Sequence, residues 1–416
     1  MFLTADSERF IVGEARGMES FELLQAVGHA AGVGNGRKME DLLKMAVEIG
    51  ASDVHLTAGV PPVLRVEGKV WRLPDLASSG PEKAKAKAAA FLSEKPKWRN
   101  HVTSASVESF AADLLARERH RTAFERQGEV RFALSVPGLS RFRVSVFRQR
   151  GCPAVNIRVL GRGVPDLDTL FEPLPEVREA LSRLVQAEGG LIIIAGPAGS
   201  GKSTTLAAIV DCVNRTRALH VVTIEDPVEY LHVHAKSVVN QREVGEDVES
   251  VAAGVAAAVA ADADVVAAGG VPDGPAADAV IAAAEAGKLV FCEVRASSLG
   301  DAVFALADLG GTAAVPQRLA SVLRAVVFQK TVLRCDRTGH VTVAGVYPLS
   351  RAARLVIRNG DRERVAASIR GGGIARPLEH SLAVLVASGL VSPEDAEEYS
   401  DDPDLFWQFA SSASSS

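Results

Sequence analysis

The stretch LIIIAGPAGSGKSTT, Leu191 to Thr205, decides the fold. An apolar run enters a glycine-rich turn, and a lysine followed by hydroxyl residues opens a helical pattern behind it. Gly196, Gly199 and Gly201 let the backbone curl until successive amides face one centre, and the helix N-terminus adds partial positive charge there. Lys202 has the reach for the β and γ phosphates of a nucleotide, and Ser203, followed by Thr204, offers a hydroxyl to Mg²⁺. An ordinary strand-to-helix turn needs no lysine beside its last glycine. ATP with Mg²⁺ is therefore the expected ligand.

Downstream, HVVTIED, DVVAAG and KLVFCEV read as further strands, separated by an alanine-rich helix and a helix from Ala276 to Ala286. Strand and helix alternating at this spacing imply a parallel sheet with covering helices. Beyond them the pattern is mainly helical, and SPEDAEEY supplies N-cap Ser392 with Pro393 in the first turn. Upstream the pattern changes. MEDLLKMAVEIG places Leu42, Leu43, Met45, Ala46 and Ile49 at helical spacing, and ASDVHLTAGVPPVLRVEGKVWRL reads as two or three short strands. A helix from about Val107 to Gln127 leads to a hairpin around Pro137-Gly138, whose second strand alternates Phe142, Val144 and Val146 with Arg141 and Arg143.

The division expected from these patterns is a flexible extension (1–38), an N-terminal α+β domain (39–160), a linker (161–171), an ATP-binding domain with C-terminal helices (172–400) and a disordered tail (401–416). Within the first domain, residues from about 77 to 106 are rich in lysine, alanine and serine. They read as a solvated helix or disordered insert in preference to a nucleic-acid or membrane patch.

A chain of 416 residues with 47% apolar content has material for two or three real cores. Its net charge of -5 argues against a generic nucleic-acid binder. Cys152, Cys212, Cys292 and Cys335 show neither disulfide-framework nor zinc-ligand spacing, and read as small buried residues in a reducing compartment. His232 and His234 stand without further ligands, as surface or packing histidines. No signal peptide is evident, and the apolar region Val251 to Val271 carries Asp262 and Asp264, short of the roughly 20 clean apolar residues of a membrane helix. A cytoplasmic protein is expected, meeting the inner membrane only peripherally, through partners.

TIEDPVEY and NQREVG, with GASDVHLTAGVPPVLRVEGKV and SRFRVSVFRQRG, narrow the choice. From about Met39 to Glu398, interrupted by the lysine-rich insert, the chain resembles the hexameric ATPases of type II and type IV secretion, and among them the PilT/PilU-like type IV pilus retraction group. The resemblance implies an N-terminal PAS-like α+β domain followed by a RecA-like P-loop ATPase domain with a helical C-terminal part. It also implies a homo- or hetero-hexamer with PilT-like subunits, working on an inner-membrane platform protein of a pilus or secretion system, and the charge balance speaks against nucleic acid as a partner. Glu225 and Asp226 fall in the box IEDP, where the family places carboxylates near Mg²⁺ and the attacking water. By the same match Ser203 and Glu225 would hold the metal. Tyr230 would close that strand end or simply pack. Arg143 and Arg158 match arginines that the N-terminal domain supplies to a nucleotide site, with a solvated strand face as the alternative for Arg143.

The chain departs from the family where its strand normally ends in G-E, because Gly270 replaces the glutamate. A positioned acid or base is worth roughly 10² to 10⁴ in rate. In KLVFCEVRASS, Glu293, Val294, Arg295 and Ala296 stand for threonine, leucine, histidine and threonine, so the histidine that would sense the γ-phosphate is an arginine. The alanine-rich helix has lost the family's arginines. SRAARLVIRNGD is similar to the helix A-I-R-N-L-I-R-E associated with retraction: Arg354, Ile357 and Arg358 are kept, and Leu355 stands for asparagine. The expected function is an ATP-binding subunit impaired in hydrolysis, with a regulatory or structural place in the ring. The alternatives are an active retraction ATPase in which Glu225 and Glu293 supply the carboxylates, and a drifted duplicate that keeps only the fold.

Overall fold

Leu42, Leu43, Met45 and Ala46 recur on one face of the helix Met39–Glu48, and all are buried. They belong to the first of two units, the second of which begins at Gly163, in a computed structural model that describes residues 39–136, 138–160, 163–311, 314–337, 339–371 and 376–413. The extension expected at 1–38 lies outside the described residues.

The N-terminal unit is built on six strands: β1 (Asp53–Leu56), β2 (Val63–Val66), β3 (Lys69–Arg72), β4 (Glu129–Val136), β5 (Ser140–Gln149) and β6 (Cys152–Val159). They pair antiparallel throughout, in the order β3-β2-β1-β6-β5-β4. On β5 the period of two sends Phe142, Val144 and Val146 into the core and leaves Arg141 and Arg143 on the other face. The helix expected over 107–127 is two helices, Ser104–Leu114, capped by Thr103, and Glu118–Gln127, ended by left-handed Gly128.

Of the two expectations for the lysine-rich segment 77–106, a solvated helix or a disordered insert, the helix is found, and one face of it is part of this core. Its helix Glu82–Glu94 buries Ala84, Ala88 and Leu92 and turns its lysines outward. Trp98 follows in a single 3-10 turn, fully buried and stacked 5.7 Å from the Phe110 ring.

The second unit carries seven strands: β7 (Gly190–Gly196), β8 (His220–Glu225), β9 (Val238–Glu243), β10 (Val265–Ala268), β11 (Leu289–Arg295), β12 (Leu323–Leu333) and β13 (His340–Pro348). Their order is β13-β12-β7-β11-β10-β8-β9, parallel except for the edge strand β13. Both faces are covered, which is why β7 and β10 are apolar and buried along their whole lengths. Two expectations need correcting here. Leu167 and Phe171, placed in the linker 161–171, are buried in this unit's core, and the tail 401–416 contains the helix Pro403–Ala413, whose Phe406 is fully buried. Among the described residues no helix is long and apolar enough to cross a membrane.

Candidate nucleotide site

The loop Gly196–Gly201 joins β7 to the helix Lys202–Thr216. Gly196 has φ +152, and a Cβ there would collide with the carbonyl oxygen of Gln329, so β12 lies against the loop as only glycine allows. From β12, Gln329 Nε2 donates to the Ser200 carbonyl at 2.6 Å and Thr331 Oγ1 to that of Gly199 at 3.3 Å. Neither residue was expected in the site. The one signal was a glutamine inside the buried run AVVFQK.

Lys202 Nζ donates to the loop carbonyls of Gly196, at 3.0 Å, and Pro197, at 2.7 Å. Burial lowers its pKa, Glu293 opposes that shift, and Arg295 adds to it. Arg295 stands level with Gly196 across β11 and β7, so the arginine in the family's histidine position brings a second cation to the loop. Thr204 Oγ1 and the Tyr230 hydroxyl lie 3.1 Å apart, which ties the loop's helix to the segment after β8.

The carboxylates are set by strand register. Ala268 of β10 pairs with Ile224 of β8 and Cys292 of β11, and the next residues along the three strands are Glu225, Gly269 and Glu293. Neighbours in a parallel sheet share a face, so two glutamates flank a position with no side chain. A Cβ at Gly269 would sit 3.1 Å from Glu225 Cγ. Glu225 Oε1 accepts from Thr223 Oγ1 at 2.7 Å and Gln241 Nε2 at 3.2 Å, and Gln241 Nε2 also donates to the Tyr230 carbonyl. Gln241 thereby joins NQREVG to TIEDPVEY. Burial raises the Glu225 pKa against those hydrogen bonds.

Glu293 is buried, and its Oε2 accepts from Ser203 Oγ at 3.1 Å. Burial, reinforced by Glu229 and Glu225 and opposed by Ser203 and Lys202, pushes its pKa up to about 7. Its other oxygen, Oε1, is buried without a hydrogen-bond partner. Such an orphan is costly. Hard oxygen donors beside a loop hydroxyl are what Mg²⁺ takes, so the residues present fit that ion.

Gly270 has φ +142, and no atom lies within 4 Å of where its Cβ would be. The place of the family's glutamate is open space. Asp226, next along the chain from Glu225, is exposed. Arg143 and Arg158 face each other across β5 and β6 in the N-terminal unit, and Arg158 Nε donates to Asp53 Oδ1 at 2.9 Å. Burial raises the Asp53 pKa, but the bonds from Arg158 and Ser52 outweigh it and hold the carboxyl below its ordinary value. Asp264 caps the far end of the sheet, accepting from the His220 amide at 2.9 Å. His234 Nδ1 accepts from the Val239 amide, and burial pushes the His232 pKa down to about 4.

Residues 118–374 match the family described as type II/IV secretion system protein. Over 374 residues the chain is 33% identical to the type IV pilus retraction ATPase PilT of Pseudomonas aeruginosa, covering 88% of this chain and 99% of that protein. It is 31% identical over 372 residues to the type IV pilus ATPase PilU of the same organism, covering 88% and 89%. A crystal structure of the pilus retraction motor PilT with bound ADP matches at TM-score 0.73 and 32% identity, covering 89% of this chain and 99% of that one. The ATPase DotB of Legionella pneumophila, 19% identical, shares the fold at TM-score 0.67 over 86% of this chain and 94% of that one.

Proposed function

Because this chain belongs to the type II/IV secretion system protein family, we propose that it is an ATP-binding, PilT-like subunit of a type IV pilus or type II secretion motor, impaired in hydrolysis. In this reading it is a regulatory or structural member of a homo- or hetero-hexamer that works in the cytoplasm on an inner-membrane platform protein. The observation that carries it is the contrast within one site. The phosphate loop is complete and braced by β12, while Gly270 leaves open space where the family's carboxylate would stand.

Lys202 exchanges its carbonyl partners for phosphate oxygens, and Arg295 adds charge on the same side. Ser203 and Glu225 are the residues that would hold Mg²⁺, with Glu293 beside them, and the ion supplies charge neutralisation on the phosphates. Arg143 and Arg158 serve a nucleotide site from the N-terminal unit, Arg158 being oriented by Asp53.

A second reading has its own support. Glu293 holds Ser203, keeps one oxygen unengaged and titrates near neutrality, which suits a general base at the pH of the cell. In that reading Glu225 and Glu293 together take over the lost role and the subunit is an active retraction ATPase.

Mg-ATP binding and steady-state hydrolysis measured on one purified sample separate the two. The first reading expects binding that Lys202→Ala abolishes and turnover no higher than that variant's. Turnover that both Lys202→Ala and Glu293→Ala remove establishes the second. A folded wild-type protein that fails to bind Mg-ATP overturns both.

A further inference from the structure

At the start of β7, opposite the phosphate loop and about 20 Å from it at the rise of a strand, the second unit has a cavity of ≈ 430 Å³. That is a volume suited to a small ligand. Arg324, one residue into β12, and Arg354, on the helix Arg351–Arg358, both line it. Each guanidinium is anchored by one backbone carbonyl, Arg324 Nε donating to Gly189 and Arg354 Nη1 to Ala320 at 2.9 Å. The rest of each donor fork stays uncommitted.

The walls are shaped around this arrangement. A Cβ on Gly190 would collide with the Arg324 side chain, and one on Gly189 with the carbonyl oxygen of Gly287. Charge is the telling feature. Both arginines line the one cavity, so two like charges share it, and burial, followed by Arg324, lowers the Arg354 pKa. Among the described residues neither forms an ion pair, although the exposed Glu188 also lines the cavity. Their neighbour Arg318 shows the usual arrangement, with Nε and Nη2 bonded to the two oxygens of Glu285 at 2.9 and 2.8 Å and Asp278 on Nη1. Arg318 is ion-paired on both sides, whereas among the described residues neither Arg324 nor Arg354 is held in an ion pair, Glu188 lining the cavity without pairing to them.

We propose that this cavity is a binding site for a small, multiply charged oxyanion, a phosphate-bearing or polycarboxylate ligand gripped between Arg324 and Arg354. Planar guanidinium forks match such groups in charge and geometry. The site is separate from the nucleotide loop and does not depend on nucleotide binding there.

The test is calorimetric titration of the full chain at low ionic strength with inorganic pyrophosphate and, separately, citrate. Binding is expected to survive Lys202→Ala, which disables the phosphate loop, and to weaken about tenfold or more on losing either guanidinium in Arg324→Gln or Arg354→Gln. Ser321→Glu keeps both arginines and their anchors and sets a carboxylate on the exposed wall, so it is expected to block binding even where an arginine variant folds poorly. Binding of pyrophosphate alone marks a phosphate ligand, and of citrate alone a carboxylate one. Binding that Lys202→Ala removes while Ser321→Glu leaves it intact, or no binding of either probe by wild type, overturns the proposal.

Discussion

At the scale of single residues, Glu293 and Gly270 impose different constraints. The unfolded chain releases the Glu293 proton near pH 4.5 and the folded chain near 7, so between those values the folded state keeps a proton the unfolded state has lost. Stability contributed by this group therefore falls as pH rises through that window, by at most on the order of 3 kcal/mol. Glu225, also raised, acts in the same direction. Urea unfolding of the ligand-free protein at pH 5 and pH 7 is expected to show a decline that Glu293→Gln flattens; an unchanged decline would remove Glu293 as its source. Gly270 poses a different constraint. Its φ of +142 is a conformation other residues avoid, so Gly270→Glu meets backbone strain of about 1–3 kcal/mol even though the space is free. That variant is expected to unfold at lower denaturant without gaining turnover. A stable variant with restored hydrolysis would contradict this.

At the scale of elements, β12 is what the loop rests on. Gln329 is buried and gives its amide hydrogen to Ser200, so Gln329→Leu leaves a buried loop carbonyl without its donor, at a cost of about 1–3 kcal/mol. Nucleotide affinity is expected to fall about tenfold in Gln329→Leu, measured by titration with a fluorescent ATP analogue; unaltered affinity would show that the brace is irrelevant to binding. This brace was hidden in the sequence because it joins residues 129 positions apart. The loop itself was plain, since its glycines and lysine are dictated by local backbone geometry. So were β7, β8, β10 and β11, whose apolar runs report burial on both faces. The helix Glu82–Glu94 was legible as a helix but its burial was not, because the buried face is mostly alanine at 84 and 88, too small to raise an apolar stripe above the lysines. The carboxylate pair fell between these cases: Glu225 lies in the family's acidic box and Glu293 is a departure from the family's threonine at a neighbouring strand end, but their placement on either side of Gly269 depends on strand order.

At the scale of the whole molecule, the tail was the larger misreading. A serine-rich ending outweighed the short apolar group LFWQF, yet Phe406 is fully buried there. The tail is also held by charge. Lys330 Nζ donates to the Tyr399 carbonyl at 2.9 Å and to Asp401 at 2.6 Å, and Arg370 Nη1 donates to Asp402 at 3.1 Å. Lys330 lies on β12 between Gln329 and Thr331, the two residues that hold the phosphate loop. In mechanical terms β12 is a single pushrod with the loop clamped to one flank and the turn that leads into the helix Pro403–Ala413 latched to the other. Stiffening the loop therefore stiffens the latch: a nucleotide bound in the loop is expected to slow amide hydrogen exchange in residues 403–412, far along the chain from any phosphate. Exchange there that ignores the nucleotide would mean the rod transmits nothing.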